Sequence, residues 1–404
     1  MNLLFYCDEY PPYKTGGIGS VTQIVAEALA ARGHRVFVVG YYFMNRDLPV
    51  YSVVNGVRVY RLNLGYRMGT FRKRLFNLGS KLGFSRMVIQ REVDYTEGFI
   101  GQLVEKERIE VVEFPDYYDW DAYAKGKLRF RKFACPTVLR LHGCVSYVEA
   151  HTKGLRWWTK ANDTSHFNRC DYISAVSRSA LQYVQEHFVL RSVKESVVIY
   201  NPLEGAFVKR QPQAESKEIL FVGRLTESKG CATLLRAFNL VVEKFPDWSL
   251  RIVAGGEVEP FRRLLSPLAE KRVRFMGYCT RQQIQSFIDE AAFACIPTYF
   301  ETFGMVATEI MGRTRCLIFT ETTSGPEIVT SGVDGLLVNP KSPEEVARAM
   351  EELIRHPEQR KVMAERAYEK VVSTFVTDRI LVELEAFYAR IVTLSARGCA
   401  HLNQ

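Results

Sequence analysis

Two glutamates in YFETFGMVATEI (residues 299–310) are spaced so that they could act on one ligand. On an uninterrupted helix, Glu301 and Glu309 would lie about 12 Å apart along the axis. The apolar run AAFACIP before them predicts a strand, so Glu301 falls in a loop and the helix begins near Gly304, which lets both carboxylates point into one site. Backbone N–H groups of Phe303–Met305 would face an anion at the positive helix end. Two ordinary surface carboxylates are the alternative.

A second charged pair stands in VGRLTESKG (222–230). Arg224 falls at the predicted end of a strand, and Lys229 lies five residues later, just before a helix. Arginine presents a planar fork of N–H donors and lysine a mobile point charge, which together suit a diphosphate without a metal. We therefore predict a diphosphate-binding loop here, with a solvated loop as the alternative.

Two predicted strand exits in the first half carry further candidates. The stretch CDEYPPYKTGGIGS places Gly16 and Gly17 before a helix, where glycines bring backbone N–H groups close to an anion. The pattern is not GxGxxG and no acidic residue ends a second strand, so a nicotinamide cofactor is disfavoured. TVLRLHG ends in His142 and Gly143, a position suited to catalysis. A ligand-free turn and a structural histidine are the respective alternatives.

The net charge of the chain is concentrated in its first half. Residues 1–200 hold 28 Lys and Arg against 19 Asp and Glu, whereas the remaining residues hold 26 of each. The densest basic stretches are 66–91 and 125–133. Such a field attracts nucleic acid, anionic lipid or phosphorylated small molecules, and a solvated basic face is the alternative. No zinc-finger, helix-turn-helix or RNA-binding signature accompanies the charge, so we expect no nucleic acid partner.

The nine cysteines are scattered and form no CxxC pair, which is typical of reduced thiols and disfavours a disulfide framework or a zinc site. The apolar stretch 36–44 is far too short to cross a bilayer, and the N-terminus shows no signal-peptide pattern. We therefore expect a cytoplasmic protein.

Short apolar, β-branched runs alternate with helical segments such as IGSVTQIVAEALAARG (18–33). This alternation predicts parallel sheets covered on both faces, and so a doubly wound α/β architecture. Ligands of such sheets bind beyond the carboxyl ends of the strands, where the candidates above fall. The predicted strands are 3–9, 35–41, 57–62, 110–115, 136–143, 172–177, 218–225, 249–256, 273–279, 291–297 and 316–321.

The alternation breaks at 200–216, where Pro, Gly and polar residues are frequent, and it restarts at 218. We therefore predict two Rossmann-like domains, over 1–203 and 204–375. The chain ends in three predicted helices without a strand between them, and the last, over 376–404, is expected to pack back on the N-terminal domain. The three helical stretches are 342–356, 357–375 and 376–394.

Taken in order, these motifs resemble the retaining glycosyltransferases of GT-B fold, specifically glycosyltransferase family 4 (glycosyl transferases group 1). The resemblance extends over essentially the whole chain and rests on GGIG after the first strand, HG at 142–143, AVSRS at 175–179, VGRL with SKG, and E-x7-E. It implies two Rossmann-like domains facing across a cleft, with an acceptor side at the N-terminus and a nucleoside-diphosphate sugar bound by the C-terminal domain.

The resemblance also implies roles for the charged residues of the second half. Arg224 and Lys229 would neutralise the donor diphosphate, so that neither a metal nor another cofactor is required. Glu309 would hold the ribose hydroxyls, and Glu301 would reach hydroxyls of the donor sugar. Residues Phe303–Met305 would line the sugar and the phosphate.

Further roles follow from the same resemblance. Gly17, with Gly16 beside it, would approach the phosphate from the other domain, and His142 would lie near the anomeric carbon. Tyr278 and Cys279 would meet the base. Retention in this family is described as front-face attack, in which the departing phosphate helps to deprotonate the acceptor. The protein's task is then to stabilise charge and to fix geometry, so no covalent nucleophile is assigned, although Glu301 is the nearest candidate.

The sequence departs from the family pattern after Glu309. Thr314 and Cys316 stand where glycine and proline are expected, and Thr323 and Ser324 stand where two glycines are usual. The departure does not affect the expected donor-binding fold. It changes the loop expected nearest the donor sugar, and so concerns which sugar is bound.

The leading hypothesis is a retaining hexosyltransferase-type enzyme that transfers a sugar to an acceptor hydroxyl in polysaccharide or glycolipid assembly of bacterial type. A non-catalytic glycosyltransferase-like partner subunit is one alternative, and it would release no nucleotide with any combination of donor and acceptor. A sugar-nucleotide epimerase or phosphorylase on the same fold is another, and it would act without an acceptor or with inorganic phosphate.

The basic N-terminal half suits a glycan or lipid-linked acceptor at an anionic membrane surface, so peripheral attachment to the cytoplasmic membrane face is expected. Asp116, in the aromatic stretch FPDYYDWD (114–121), is a candidate acceptor contact.

Overall fold

The computed structural model describes residues 1–13, 16–42, 48–62, 85–118, 124–151, 154–203, 205, 207, 209 and 216–402, and the side chains within these ranges up to residue 396. The chain forms two compact units. The first is Met1–Pro202 together with the segment that begins at Thr377, and the second is Leu203–Val376.

The first unit is built on an eight-stranded sheet with the order β3-β4-β2-β1-β5-β6-β7-β8. Its neighbouring strands are parallel except β3, which runs antiparallel to β4. The strands are β1 Asn2–Tyr6, β2 Arg35–Tyr41, β3 Tyr51–Val54, β4 Val57–Leu62, β5 Val111–Pro115, β6 Thr137–Leu141, β7 Tyr172–Ala175 and β8 Glu195–Val198.

Helices cover this sheet, and the last helix of the chain belongs to the same unit. It packs on α1, and its Tyr388 hydroxyl donates a hydrogen bond of 2.6 Å to Glu113 on β5. The helices are α1 Gly17–Ala31, α2 Ser85–Glu107, α3 Val145–Ala150, α4 Trp157–Phe167, α5 Arg178–His187 and, at the end of the chain, α14 Thr377–Leu402.

The second unit is built on a six-stranded, fully parallel sheet with the order β11-β10-β9-β12-β13-β14. Its strands are β9 Glu218–Arg224, β10 Ser249–Gly255, β11 Val273–Phe275, β12 Phe293–Ile296, β13 Cys316–Thr320 and β14 Leu336–Val338. Its helices are α6 Cys231–Lys244, α7 Glu259–Arg262, α8 Pro267–Glu270, α9 Arg281–Glu290, α10 Met305–Met311, α11 Gly325–Ile328, α12 Pro343–Arg355 and α13 Pro357–Thr374.

The strands are buried on both faces, as their apolar sequences require. Every residue of β12 and of β13 is buried, and so is every residue of β2 after its first. A fully buried Leu, Val or Phe side chain contributes about 1.5–3 kcal/mol relative to an exposed one, so these central strands supply much of the stability of each unit.

All eleven predicted strands are present, and the doubly wound α/β prediction is confirmed. The expectation of parallel sheets throughout is wrong at β3, because Asn55 and Gly56 take positive φ angles of 48° and 84° and close a two-residue hairpin. The predicted strand 273–279 ends at Phe275, before Gly277 with its φ of 70°. The sequence reading missed β3, β8 and β14, which have only 4, 4 and 3 residues.

Candidate functional site

Three loops of the second unit leave strands that are neighbours in the sheet. They follow β9, β12 and β13, which lie side by side in that order. Because the strands are parallel, their carboxyl ends share one edge, where open α/β sheets bind ligands. Arg224 is the last residue of β9 and Lys229 belongs to the loop that follows it, Glu301 belongs to the second loop, and Thr323 belongs to the third.

The first two loops are joined through their backbones. Gly230 has a φ of 72°, and a Cβ added there would lie 1.8 Å from the carbonyl oxygen of Pro297. The N–H of Tyr299 donates to the carbonyl of Ser228 at 2.9 Å. The hydroxyl of Thr298 shares its one proton between that carbonyl, at 3.2 Å, and the carbonyl of Phe300, at 2.9 Å. Glycine at 230 is therefore required for the close approach that brings the charged residues of both loops together.

Lys229 and Glu301 form an ion pair. The Lys229 Nζ lies 2.7 Å from Glu301 Oε2, and the two side chains are 22% and 24% exposed. The guanidinium of Arg224 is exposed and contacts no other described residue through a hydrogen bond or ion pair. From the sequence, Lys229 was predicted to contact the diphosphate and Glu301 the donor sugar. In the structure the two side chains also bind each other.

Glu309 lies in α10, whose start at Met305 agrees with the sequence prediction. Gly304 precedes the helix with a φ of 98°, which favours glycine. The side chain of Glu309 is half-buried and accepts no hydrogen bond from a described residue. Burial raises the pKa of its carboxyl group, and the nearby positive charges of Arg281 and Arg313 oppose that shift. The carboxylate is thus free to accept hydrogen bonds from a ligand.

The other candidates of the second unit lie in different surroundings. The side chain of Phe303 is 3% exposed and packs edge-to-face on Phe375 at 5.6 Å, so only its backbone is available for the expected contact with a sugar. Tyr278 follows β11 and is 90% exposed, and Cys279 beside it is half-buried. An exposed aromatic ring is available for stacking on a base.

In the first unit, the glycines after β1 differ in what surrounds them. A Cβ added at Gly17 would meet no atom within 4 Å, whereas one at Gly16 would lie 2.3 Å from the carboxylate of Glu9. One added at Gly19 would lie 2.3 Å from the Glu9 carbonyl oxygen. Packing therefore explains glycine at position 19, where the neighbour is backbone. At position 16 the neighbour is the end of a flexible side chain, and at position 17 there is none, so packing does not require glycine at either.

His142 and Gly143 leave β6 over a buried carboxylate. The N–H of His142 donates to Asp116 Oδ1 at 2.7 Å, and the N–H of Gly143 donates to Asp116 Oδ2 at 3.0 Å. The Asp116 side chain is only 1% exposed, so both carboxylate oxygens are committed to this loop. The geometry favours a positioning role for Asp116 over the acceptor contact expected from the sequence.

A second buried carboxylate holds the same segment. Asp163, on α4, accepts a hydrogen bond of 2.9 Å from the N–H of Ser146 in the first turn of α3. Burial raises the pKa of Asp116 to about 7 and that of Asp163 to about 7, and repulsion between the two carboxylates adds to the shift at Asp116. The loop that carries His142 is therefore fixed from both sides by groups that are costly to ionise.

The imidazole of His142 is half-buried and forms no hydrogen bond with a described residue. Burial and then the charge of Arg140 lower its pKa to about 3. His142 is therefore neutral across the physiological range, and it can accept or donate one hydrogen bond without carrying charge.

Sequence reasoning missed the contributions of Asp163, Thr323 and Ser324. Asp163 lies within a helix, where no local pattern marks it. Thr323 and Ser324 were noted only as departures from the family pattern, although each forms a hydrogen bond through its hydroxyl group with the Glu301 loop.

Within the described ranges, no group of three or more His, Cys, Asp or Glu side chains could hold a metal ion. No helix of that part of the chain combines the length and apolar character needed to span a membrane.

Comparison with known proteins bears on both units. Residues 15–204 match the family model described as Glycosyltransferase Family 4, and residues 205–370 match the one described as Glycosyl transferases group 1. An uncharacterised glycosyltransferase of Methanocaldococcus jannaschii is 26% identical over 412 residues, which cover 96% of this chain and 98% of that protein.

Two solved structures share the fold. A sucrose-phosphate synthase from Thermosynechococcus elongatus superposes with a TM-score of 0.76 at 17% identity, covering 97% of this chain and 99% of the other. HepE from Anabaena, solved in complex with UDP and glucose, gives a TM-score of 0.69 at 16% identity, covering 96% and 100%. The GT-B architecture expected from the sequence is confirmed.

Proposed function

We propose that the chain, which belongs to the glycosyltransferases of family 4 and group 1, transfers a sugar from a nucleoside-diphosphate sugar to an acceptor hydroxyl with retention of configuration. The observation that carries the proposal is the arrangement at the second sheet. Arg224, Lys229 and Glu301 lie on the exits of neighbouring strands, and Glu309 follows in the helix after the same loop.

The cations suit a diphosphate leaving group. Charge accumulates on the diphosphate as its bond to the sugar breaks, and donors placed beforehand stabilise that charge more than they stabilise the ground state. The exposed fork of Arg224 can engage two phosphate oxygens, and the ammonium of Lys229 is held at a fixed position by Glu301. In this proposal no metal is required, because the two side chains supply the positive charge.

The carboxylates suit hydroxyl groups. Ionised carboxylates are acceptors only, and ribose and sugar hydroxyls are donors that match them. We assign Glu309 to the ribose and Glu301 to the donor sugar, as the family pattern implies. HepE, which shares the fold, binds UDP and glucose, and this favours a nucleoside-diphosphate hexose as donor. The family pattern also leads us to assign Gly17 to the donor phosphate and His142 to the donor sugar.

A donor panel tests the proposal. Purified protein is incubated with nucleoside-diphosphate sugars that differ in base and sugar, each with water alone and with a set of sugar and lipid-linked acceptors, and nucleotide release is measured for the wild type, Glu309→Ala and the control Glu358→Ala. Glu358 is exposed, in the first turn of α13. We expect release from at least one donor and a donor KM at least tenfold higher for Glu309→Ala only. Release from no donor refutes the enzyme, and an unchanged KM refutes the ribose role.

A cationic strip on the first unit supports an acceptor that is bound at a membrane. Residues 124–132 run along α2, and their Leu128 and Phe130 pack on its Ile89 and Val93. None of the cations of the strip is in an ion pair with a described residue. The strip consists of Arg86, Lys125, Lys127, Arg129, Arg131 and Lys132.

The geometry of the strip turns its charges outward. Gln90 of α2 bonds both the N–H and the carbonyl of Arg129, at 2.8 and 2.9 Å, which fixes the segment on the helix. The side chains of Lys125, Lys127 and Arg129 are exposed, and Met87, one helix position beyond Arg86, is 71% exposed. Cations that have no ion-pair partner in the described part of the chain and lie beside an exposed apolar side chain match an anionic lipid surface better than a hydrophilic polyanion.

Vesicle binding tests the membrane proposal separately from catalysis. Each Lys or Arg near an anionic bilayer strengthens binding by about fivefold, so Lys125→Gln, Lys127→Gln and Arg129→Gln together should weaken binding to phosphatidylserine-containing vesicles by roughly 100-fold. The control changes Lys271, Arg348 and Lys361 of the second unit to Gln. Binding that persists on neutral vesicles, or that is insensitive to salt, contradicts the proposal.

A further inference from the structure

Thr323, in the loop after β13, has a backbone conformation that its residue type disfavours. Its φ is 52°, in the left-handed region, where a β-branched side chain crowds its own backbone. Glycine adopts this conformation without strain, and glycine is what the family pattern has at this position. Threonine persists here at a cost to stability, so its side chain is a candidate for a function.

The hydroxyl of Thr323 is directed at the backbone of Glu301. Its Oγ1 accepts a hydrogen bond of 2.9 Å from the Glu301 N–H. The next residue acts on the carbonyl group of Glu301: the Oγ of Ser324 lies 3.0 Å from the carbonyl oxygen of Glu301 and 3.2 Å from that of Phe303, and its one proton is shared between them. Glycine could make neither hydroxyl contact, although it would keep the 3.4 Å bond from the N–H of residue 324 to the Glu301 carbonyl oxygen.

With these contacts every polar group of Glu301 has a partner. The carboxylate bonds Lys229 through Oε2 and accepts a bond of 3.2 Å from the N–H of Thr302 through Oε1. Held at its N–H, its carbonyl and its carboxylate, Glu301 has little conformational freedom left to lose when a ligand binds. Such prior order is what places a polar group within reach of a reacting centre.

We propose that Thr323 and Ser324 are positioning residues that hold Glu301 in place for the donor sugar. This rests on the proposed function, because it takes Glu301 as the sugar contact. The strain at Thr323 is retained because only a side chain in this backbone conformation delivers a hydroxyl to the Glu301 N–H. Both positions thus supply a hydroxyl group that holds Glu301, and backbone strain accompanies it only at Thr323, since Ser324 has a φ of −77°.

Kinetics of four variants test the proposal. Thr323→Gly removes both the strain and the hydroxyl, Thr323→Val keeps the shape and removes the hydroxyl, and Thr323→Ser keeps the hydroxyl. We expect kcat to fall about tenfold in Thr323→Gly and in Thr323→Val, and to stay near the wild-type value in Thr323→Ser. The double variant, Thr323→Gly with Ser324→Gly, should lose about 100-fold in kcat. Affinity for UDP alone, or the nucleoside diphosphate that the panel selects, should not change.

The melting temperatures of the variants distinguish positioning of Glu301 from a role in stability alone. Because it relieves strain, Thr323→Gly should unfold at the same temperature as the wild type or higher, although its kcat is lower. If the variants that lose kcat are the same ones that lose melting temperature, and to a matching extent, the proposal is overturned. An unchanged kcat in both the Gly and Val variants overturns it as well.

Glu301→Gln separates failure of this inference from failure of the proposed function. If that variant retains wild-type turnover, the sugar role of Glu301 is wrong. If it loses turnover, the loss should not deepen when Thr323→Gly is added, since both changes act on one contact. Additive losses contradict the positioning role. Without substrate, the Glu301 amide should exchange its hydrogen at least tenfold faster in Thr323→Val, and unchanged exchange also overturns the inference.

Discussion

The two units present candidate residues on strand exits of similar sheets, but they fix those loops by different means. In the second unit, the loop with Glu301 is held by hydroxyl groups and by an ion pair with Lys229 that remains partly exposed. In the first unit, the loop with His142 is held by the buried carboxylate of Asp116. The same task, fixing a loop at the edge of a parallel sheet, is done by solvated charge in one case and by desolvated charge in the other.

The difference has consequences for how each loop responds to its surroundings. Partly exposed charges respond to salt and to an incoming anionic ligand. Buried carboxylates lose hydration, so their pKa values rise and their contribution depends on pH. We therefore expect variants of Lys229 and Glu301 to alter ligand affinity and turnover, and variants of the buried carboxylates Asp116 and Asp163 to alter stability and its pH dependence.

The largest effect is expected at Lys229. Lys229→Ala should lower kcat/KM by about 10³-fold, because it removes positive charge from the diphosphate and releases Glu301 from its ion pair. Steady-state kinetics measures it. Lys361→Ala, at an exposed lysine of α13, is the control and should retain wild-type activity. A loss of less than about tenfold would mean that the ion pair serves the loop and not the ligand.

Asp116→Asn tests the buried charge of the first unit. The pKa of Asp116 is raised from 3.8 to about 7, so the wild type gains stability while the carboxyl is protonated and loses it as pH rises from about 4 through 7. The difference in unfolding free energy between wild type and variant should therefore change by roughly 3 kcal/mol between pH 4.5 and 7.5, with the variant favoured at the higher pH.

Denaturant titrations at the two pH values measure this difference. Asp163→Asn should behave alike, since the pKa of Asp163 is also raised to about 7, and the exposed Glu358→Gln should show no such change. If the difference in unfolding free energy between wild type and Asp116→Asn does not change with pH, Asp116 does not titrate in this range. The contrast drawn between the buried carboxylates of the first unit and the partly exposed ion pair of the second would then be wrong.

His142→Gln sharpens the comparison from the kinetic side. The pKa of His142 is lowered to about 3, so the ring stays neutral between pH 5 and 9. We expect kcat/KM to fall about 100-fold, because one positioned hydrogen bond is lost. The wild-type and variant pH profiles should keep the same shape over that range. A ratio of activities that changes with a midpoint near pH 6.5 would show that His142 ionises and acts as a proton carrier.

The smallest effect is expected at Gly17. A Cβ there meets no neighbouring atom, so Gly17→Ala should leave the melting temperature unchanged and raise the donor KM about tenfold by obstructing the phosphate. Gly19→Ala is the comparison, since its Cβ would lie 2.3 Å from a backbone carbonyl oxygen and should lower the melting temperature. An unchanged KM for Gly17→Ala would remove Gly17 from the donor site.

Much of the site was predictable because it follows local rules. Arg224, Lys229, Glu301 and the start of α10 were placed on strand exits by apolar runs and a glycine, and the structure has them there. The Lys229–Glu301 pair was not predicted, since its partners are 72 residues apart and meet only because β9 and β12 are neighbours. The burial of Asp116 was not predicted either, because nothing in FPDYYDWD distinguishes a buried carboxylate from an exposed one.

The sequence by itself determined the alternation of strands and helices, the resemblance to a glycosyltransferase family, and the residue types at the strand exits. These are properties of short segments, in which side-chain periodicity and turn chemistry act within a few residues. The tertiary structure decided which exits lie side by side, which carboxylates lose their water, and that Thr323 bonds the backbone of Glu301. Those outcomes depend on strand order and packing between distant segments, because desolvation and hydrogen bonding are set by neighbours in space.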